Sequence, residues 1–354
     1  MAATLVIHRK KLVTISPTRR RVMGIVEIVF SVLLLLVFTL KVQPGQVATF
    51  VMTPGGITQG VAADWLVPAF ATLVGLTAVS FLLGVYQLVR GFGRLTYPVL
   101  GLVVGFFVFG FLTWATAGKS LNLAGMLSAS VLLAVPIILG AFSGVLCERA
   151  GVVNIAIEGM MLMAAMVGAL VGSVTANMWI GLLAAIASSM LMALIHAVLS
   201  IKYKINQIIS GTVINIFAAG MTSYLSSKFL QTYQQLNNPP IFPRVPIPLL
   251  ADIPVIGPLF FNTNIFVYLM FILLVVIQVA LFYTRWGLRL RSVGEHPKAA
   301  DTLGINVFRT RYMAVLLGGL VAGIGGGFFF PWSVGGVCGG LSPRGGFSFP
   351  GALL

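Results

Sequence analysis

The stretch IFVYLMFILLVVIQVALFYT, residues 265–284, contains no charged side chain. An α-helix needs about 20 apolar residues to cross the hydrocarbon core of a bilayer, so this stretch predicts a transmembrane helix. Charged residues make up 8% of the whole chain and hydrophobic residues 58%, whereas a soluble domain carries about 25% charged residues. So little polar surface could not keep 354 residues in water, and the composition therefore predicts a membrane protein.

Eight other stretches have the same length and apolar character. The nine predicted spans are 22–40, 66–89, 98–117, 126–146, 158–175, 179–200, 207–226, 265–284 and 312–330. The strict alternation of a β-barrel is absent, and forty glycines suit closely packed membrane helices. The sequence predicts an all-α polytopic membrane protein with about nine to ten transmembrane helices and a re-entrant element.

The distribution of Lys and Arg predicts the orientation. With the N-terminus inside, the segments between spans carry 17 Lys and Arg on the inner side and five on the outer side. Cytoplasmic loops of membrane proteins hold such an excess of positive charge. Residues 1–21 and 285–311 are therefore predicted to be cytoplasmic and 227–264 to be outside. The net charge of +15 is then explained by the Lys and Arg residues that hold loops on the cytoplasmic side of the lipid bilayer. No nucleic-acid partner is expected.

Four regions follow along the chain. They are a cytoplasmic basic arm (1–21), N-terminal transmembrane helices (22–125), a core (126–330) and a tail (331–354). Glu27 is predicted to lie near the inner end of the first span, where its carboxylate reaches the interface or an arginine. Gly and Pro supply ten of the 24 tail residues, so no regular span is predicted there.

Features that resemble enzyme chemistry are weak. The sequence AGKS at 117–120 ends like a phosphate-binding loop, but Thr113 stands where that motif requires glycine. The two cysteines and three histidines are scattered, which supports neither a metal site nor a catalytic triad. We therefore expect no enzyme activity, and transport is the function that remains.

The segment ERAGVVNIAIEGM, residues 148–160, places polar groups between two apolar spans. Its β-branched residues beside Gly151 favour a turn or a broken helix, and Asn154 and Glu158 would share one face if the segment were helical. One interpretation is a broken element that lines a translocation path, because polar groups inside a membrane tend to face a cavity or a partner. The other is a polar loop with a helix cap and a local Glu148–Arg149 interaction.

Three motifs resemble the permeases of ABC importers of the ribose and branched-chain amino acid type, and most of all nucleoside permeases. They are CERAGVVNIAIEGMMLMAA (147–165), NQIISGTVINIFAAGMTSYL (206–225) and GLRLRSVGEHPKAADTLGINVFRTRYMAVLLGGLVAGIGGGFF (287–329). The second carries the Gln, Ser-Gly and Asn of the family segment, here Gln207, Ser210, Gly211 and Asn215. The resemblance covers roughly 126–330, and the tail only faintly echoes the family, so a truncated C-terminus is expected.

The resemblance implies a multi-pass subunit of a prokaryotic plasma membrane. It implies three kinds of partner: an ATP-binding subunit, a second permease subunit and an extracytoplasmic substrate-binding lipoprotein. The chain itself would need no cofactor, because the partner subunit binds ATP. Asn154, Glu158, Gln207 and Asn215 are the candidates for the substrate path, and we expect hydrogen bonds from facing helices to hold Glu158.

The cytoplasmic loop 285–311, here called the coupling loop, would dock on the ATP-binding subunit. Residues 294–304, GEHPKAADTLG, are predicted to form a short helix. In it Gly294 permits a sharp exit, Pro297 starts the helix and Gly304 ends it. Ala299 and Ala300 are expected to present a small flat docking surface, flanked by Glu295 and Lys298.

Other transport functions stay open from sequence. The same machinery could carry a simple sugar or a branched-chain amino acid, because specificity lies largely in the binding protein. A secondary transporter would need a coupling carboxylate in mid-span, for which Glu158 is the one candidate. A membrane-embedded enzyme would need a cluster of His, Cys or acidic residues, which the sequence lacks.

Overall fold

The computed structural model describes residues 17–55, 62–230, 232–237 and 240–335. Within these residues nine helices are long and apolar enough to cross a membrane, and each coincides with a predicted span. Their bounds are Pro17–Lys41, Ala69–Val89, Gly93–Ala115, Leu123–Glu148, Ile157–Thr175, Met178–Lys202, Gln207–Phe229, Ile265–Tyr283 and Val307–Phe329. The predicted all-α polytopic fold is confirmed. The chain divides into two compact units between Met126 and Leu127.

Unit 1 contains three long helices and a small sheet. Helix α1 (Pro17–Leu33) continues as a π-helical turn and a 3₁₀ turn to Lys41, and α2 (Ala69–Val89) and α3 (Thr96–Ala115) follow. Strand β1 (Val47–Val51) pairs antiparallel with β2 (Trp65–Pro68) and parallel with β3 (Ser120–Asn122). The sequence did not predict this sheet, because each strand is only three to five residues long.

Glu27 is not placed as predicted. Helix α1 begins at Pro17, within the predicted basic arm, so Glu27 lies ten residues along the helix, or about 15 Å at 1.5 Å per residue. Its side chain is 0% exposed, and neither carboxyl oxygen has a hydrogen-bond partner among the residues described. The prediction that it reaches the interface or an arginine is wrong, because the helix starts one turn earlier than its apolar stretch.

Unit 2 holds α4 from residue 127 onward and the remaining helices. These elements are α4 (Leu123–Glu148), α5 (Ile157–Thr175), α6 (Met178–Ala197), α7 (Gln207–Leu225), α8 (Ile265–Tyr283), α9 (Arg285–Glu295), α10 (Pro297–Thr302) and α11 (Val307–Gly335). Asn177, Asn206 and Asn264 each accept a main-chain N–H at the start of α6, α7 and α8, which is the role that asparagine favours at a helix N-cap.

Helix α11 lies at the centre of unit 2. In its most apolar stretch 67% of the residues are buried, against 17–50% in the other eight spans. It packs with α5 and α6, whose buried residues include Met160, Met192 and Ala193. Helix α11 continues to Gly335, five residues into the tail that was predicted to lack a regular span, and residues 336–354 lie outside the described part.

The proline-rich segment between α7 and α8 is partly structured. Strand β4 (Arg244–Pro246) pairs antiparallel with β5 (Asn262–Asn264), and Tyr268 donates a hydrogen bond to the Val245 carbonyl oxygen over 2.7 Å. Phe242 is buried against Trp179 and Phe266. The segment is therefore anchored to the helical core by an aromatic side chain and is not simply extended.

Candidate functional site

The chain between α4 and α5 is not helical. Residues 149–151 form a turn, and 152–155 have no regular secondary structure before α5 begins at Ile157. Val152, Asn154 and Ala156 are buried, whereas Val153 and Ile155 are 44% and 41% exposed. This alternation is that of a strand, and the predicted break in the helix is confirmed. We call residues 149–156 the linker segment.

Side chains from α6 and α7 satisfy the main chain of the linker segment. The Val153 N–H donates to Gln207 Oε1 over 2.7 Å, and the Val153 carbonyl oxygen lies 3.2 Å from His196 Nε2. Asn215 donates from Nδ2 to the Ile155 carbonyl oxygen over 2.9 Å and accepts the Gly159 N–H over 2.8 Å. A segment without helical hydrogen bonds is tolerated among apolar helices only when protein groups replace those bonds.

His196 also contacts the linker segment, and the sequence did not predict this contact. It is 0% exposed, and Nδ1 lies 3.1 Å from the Ser210 hydroxyl while Nε2 faces the Val153 carbonyl oxygen. A carbonyl only accepts, so the neutral ring with its hydrogen on Nε2 satisfies both contacts. The motif residues Gln207, Ser210 and Asn215 thus share a structural role around the linker segment.

Asn154 is turned into the protein. Its Oδ1 accepts the Ala156 N–H over 3.1 Å, and Nδ2 lies 3.6 Å from Cys147 Sγ and 3.7 Å from Met160 Sδ. All its polar atoms therefore have partners within the subunit. This arrangement suits a residue that fixes the linker segment.

The structure does not show the expected surroundings of Glu158. It is exposed in the first turn of α5, whereas Asn154 is buried in the non-helical part of the chain, so the two residues do not share a helical face. Among the described residues no helix donates a hydrogen bond to its carboxylate, which does not match the expected network. A carboxylate in the first helical turn is favoured by the helix dipole. That Asn154, Glu158, Gln207 and Asn215 lie on a substrate path stays a prediction.

The short helix of the predicted coupling loop is confirmed. Helix α10 begins with Pro297 at its first position, and Gly304 follows its end with φ +79°, in the left-handed region that favours glycine. His296 caps the helix through Nδ1, which accepts the Ala299 N–H over 3.1 Å. This cap was not predicted, because histidine is not among the residues that usually cap a helix N-terminus.

Two expectations about the coupling loop are wrong. Gly294 lies inside α9 and makes no sharp exit. Glycine is needed there because a Cβ atom would stand 2.3 Å from the Arg149 carbonyl oxygen. Ala300 is 2% exposed and faces the protein, so it presents no docking surface. Glu295, Lys298 and Ala299 are exposed, as is Leu303 at 80%.

The coupling loop contacts the turn of the linker segment. Gly294 packs on Arg149 and Gly151, and Arg311 at the start of α11 donates from Nε to the Ala150 carbonyl oxygen over 3.2 Å. The guanidinium groups of Arg149 and Arg291 both lie over the Phe282 ring. No ion pair joins Glu148 to Arg149 in the part of the chain described, so the local interaction expected there is absent. One continuous set of contacts thus joins α9, the linker segment and α7.

The described residues form nine apolar helices, a non-helical segment held by polar side chains and a helical polar loop, which define a multi-pass α-helical membrane protein. The family described as branched-chain amino acid transport system / permease component matches residues 126–339, and the chain belongs to this family.

Three named relatives each match this chain over about 200 residues. The guanosine ABC transporter permease protein NupQ of Bacillus subtilis is 42% identical over 208 residues, which are 57% of this chain and 65% of NupQ. The nucleoside ABC transporter permease protein NupC of Lactococcus lactis is 38% identical over 201 residues (55% and 63%). TsgC13 of Haloferax volcanii, named "Putative glucose ABC transporter permease protein", is 37% identical over 207 residues (57% and 61%).

The chain thus spans less than two thirds of the length of each of these relatives. No solved structure matches it significantly.

Proposed function

We propose that the chain acts as the transmembrane permease subunit of an ATP-driven importer for nucleosides or related purine compounds. The observation that carries the proposal is the identity of 42% and 38% to proteins named as guanosine and nucleoside permeases. The three motifs of the sequence resemblance fall within the family match, at 126–339. The subunit would have no ATPase of its own and would work with a second permease subunit and a substrate-binding lipoprotein.

A sugar is the second candidate substrate. TsgC13, whose printed name refers to glucose, is 37% identical over a similar length, which is close to the identity of NupC. The linker segment and the coupling loop would serve a permease for either substrate, so these elements do not separate the two candidates. A direct comparison of the transport of guanosine, glucose and leucine would identify the substrate. Leucine is included because the family description refers to branched-chain amino acids.

The coupling loop is proposed as the contact with the ATP-binding subunit. Its exposed side chains include Glu295, Lys298, Ala299 and Leu303, which together offer charge, a small residue and an apolar tip. Movement of this loop would reach the linker segment through the Gly294–Arg149 packing and the Arg311–Ala150 hydrogen bond. From there Gln207 and Asn215 would transmit it to α7.

The orientation of the subunit is proposed from charge. The excess of 17 Lys and Arg over five supports a cytoplasmic N-terminus and coupling loop, and an outer segment 227–264. Arg244 and Lys298 are both exposed. In a Cys338→Ser background, a cysteine at 244 should react with a membrane-impermeant maleimide in intact cells, and a cysteine at 298 only after permeabilisation. The reverse pattern would overturn the orientation and the docking role.

Co-purification is the direct test of the subunit assignment. The full chain would be expressed with the ATP-binding subunit of its importer and isolated through an affinity tag on the chain. We expect the ATP-binding subunit to be retained in a fixed ratio in neutral detergent. Active transport by the chain without any ATP-binding subunit, driven by an ion gradient, would instead support a secondary transporter.

A further inference from the structure

Unit 1 contains a basic concavity at the start of α1. Its volume is about 280 Å³, and its lining is Pro17, Arg20, Gln87, Arg90, Gly91, Gly93 and Thr96. It lies where the α2–α3 connection meets the first turn of α1. The family match begins at residue 126, so the transport function proposed above assigns no role to this concavity.

We propose that the concavity binds an anionic phosphate group, supplied by the headgroup of an acidic phospholipid. Two arginines converge on it, and arginine matches phosphate because its planar fork can donate two parallel hydrogen bonds. The Arg20 Nε atom is buried, and it has no hydrogen-bond partner among the residues described. A buried donor of this kind calls for an acceptor, and the described residues supply none.

The walls of the concavity are fixed before any ligand arrives. The Arg20 stem packs against Gly91, where a Cβ atom would stand 2.9 Å from Arg20 Cδ. Gln87 is 1% exposed and accepts the Phe92 N–H over 2.8 Å, and the Thr96 hydroxyl donates to the Gly93 carbonyl oxygen over 2.9 Å. The connecting loop is therefore braced around the two arginines.

The protein has little negative charge to neutralise this site. Residues 1–126 contain ten Lys and Arg but only two carboxylates, Glu27 and Asp64, and residues 1–16 contain none. Glu27 is seven residues from Arg20 in α1, about 10 Å along a helix, and its oxygens have no partner in the described part of the chain. An anion from outside the chain is the group that fits.

The surroundings favour a lipid over a soluble anion. Val89, Leu95 and Tyr97 adjoin the lining residues in sequence and are 60–68% exposed. Arg19 lies over the Tyr97 ring at 4.4 Å, and tyrosine is enriched at membrane interfaces. In the orientation proposed above this end faces the cytoplasm, where the leaflet carries acidic lipids, and basic pockets between membrane helices bind their headgroups.

Native mass spectrometry of the full chain in neutral detergent tests the proposal. Phosphatidylglycerol, phosphatidylcholine and inorganic phosphate would each be titrated against the wild type, against R20Q/R90Q and against R21Q/R94Q. The last variant is the matched control, because Arg21 and Arg94 are exposed, carry the same charge and do not line the concavity.

We expect R20Q/R90Q to weaken phosphatidylglycerol binding about tenfold or more, since charge-assisted hydrogen bonds are lost. The control should change it by about twofold or less, because neither Arg21 nor Arg94 lines the concavity and their exposed charges are screened. If R20Q/R90Q does not fold, Arg90→Gln alone serves, since that side chain is exposed, and a smaller loss in the same direction is expected.

Three results would overturn the proposal. One is an equal loss, or no loss, in the two double variants. Another is equal binding of phosphatidylcholine and phosphatidylglycerol to the wild type. The third is binding of inorganic phosphate, lost in R20Q/R90Q, without binding of phosphatidylglycerol, which would assign the site to a soluble anion. None of these measurements depends on transport, so they are independent of the proposed function.

Discussion

Arg311 donates a hydrogen bond from Nε to the carbonyl oxygen of Ala150 over 3.2 Å, although 161 residues separate them in the chain. The bond joins the start of α11 to the turn of the linker segment. Gly294 of α9 packs against the same turn. The proposed docking loop therefore has a short physical connection to the segment that α6 and α7 hold.

Replacement of Arg311 tests this connection. Arg311→Gln should lower the free energy of unfolding by about 1 kcal/mol, because one partly exposed hydrogen bond is lost, and should lower substrate-stimulated ATP hydrolysis more strongly. Arg309→Gln is the matched control, since Arg309 is exposed two residues away. Thermal unfolding and ATP hydrolysis of the assembled importer are the measurements. Equal coupling in both variants would show that the Arg311–Ala150 bond transmits nothing.

Asn215 is expected to hold the linker segment through both ends of its amide. Asn215→Ala would leave the Ile155 carbonyl oxygen and the Gly159 N–H without their partners, at a cost of about 1–3 kcal/mol. Asn215→Asp keeps the acceptor for Gly159 but turns a carboxylate oxygen toward the Ile155 carbonyl oxygen, so it should protect the Gly159 amide in hydrogen exchange without recovering the full stability. Thr212→Ala, which removes a hydroxyl bonded within α7, is the control. A loss no larger than that of Thr212→Ala would refute the role.

Adjacent alanines in α10 should respond differently to tryptophan. Ala300 is 2% exposed, so Ala300→Trp should destabilise the subunit by about 1–3 kcal/mol through overpacking. Ala299 is exposed, and Ala299→Trp should leave thermal unfolding unchanged. The ring at 299 should instead lower ATP-binding-subunit association about tenfold, as a bulky group at a packed interface does. Normal association of Ala299→Trp would place the docking surface elsewhere.

The buried carboxyl group of Glu27 is predicted to lower the free energy of unfolding. Its carboxyl group is buried without a partner in the described part of unit 1, and apolar replacement of such a group is often stabilising. Glu27→Met should therefore raise the free energy of unfolding by about 1–3 kcal/mol. Glu158→Met, at an exposed position, should change it by about 0.5 kcal/mol or less. Marked destabilisation by Glu27→Met would mean that the carboxyl group has a stabilising partner.

The spans were predictable because length and apolarity decide them, and all nine were found. The break before α5 was also predictable, since Gly151 and three β-branched residues oppose a helix there. The groups that stabilise the break were not, because His196, Gln207 and Asn215 are 43 to 60 residues away from the atoms they bind.

The errors have local causes. Glu27 lies further along α1 than predicted, because the basic residues after Pro17 form the first turn of α1 and not a separate arm. The burial of Ala300 is not predictable, because a six-residue helix gives no periodic pattern that separates its two faces. Gly294 is required by its close approach to Arg149 and not by a break in the helix.

ATP-driven uptake into proteoliposomes tests the central claim most directly. The full chain would be reconstituted with its second permease subunit, the ATP-binding subunit and the substrate-binding lipoprotein, with ATP inside or absent. We expect radiolabelled guanosine to accumulate only with ATP, and this accumulation should be reduced by excess unlabelled nucleoside and unaffected by glucose or leucine. Uptake that needs no ATP, or ATP-driven uptake of glucose or leucine but not of guanosine, would contradict it.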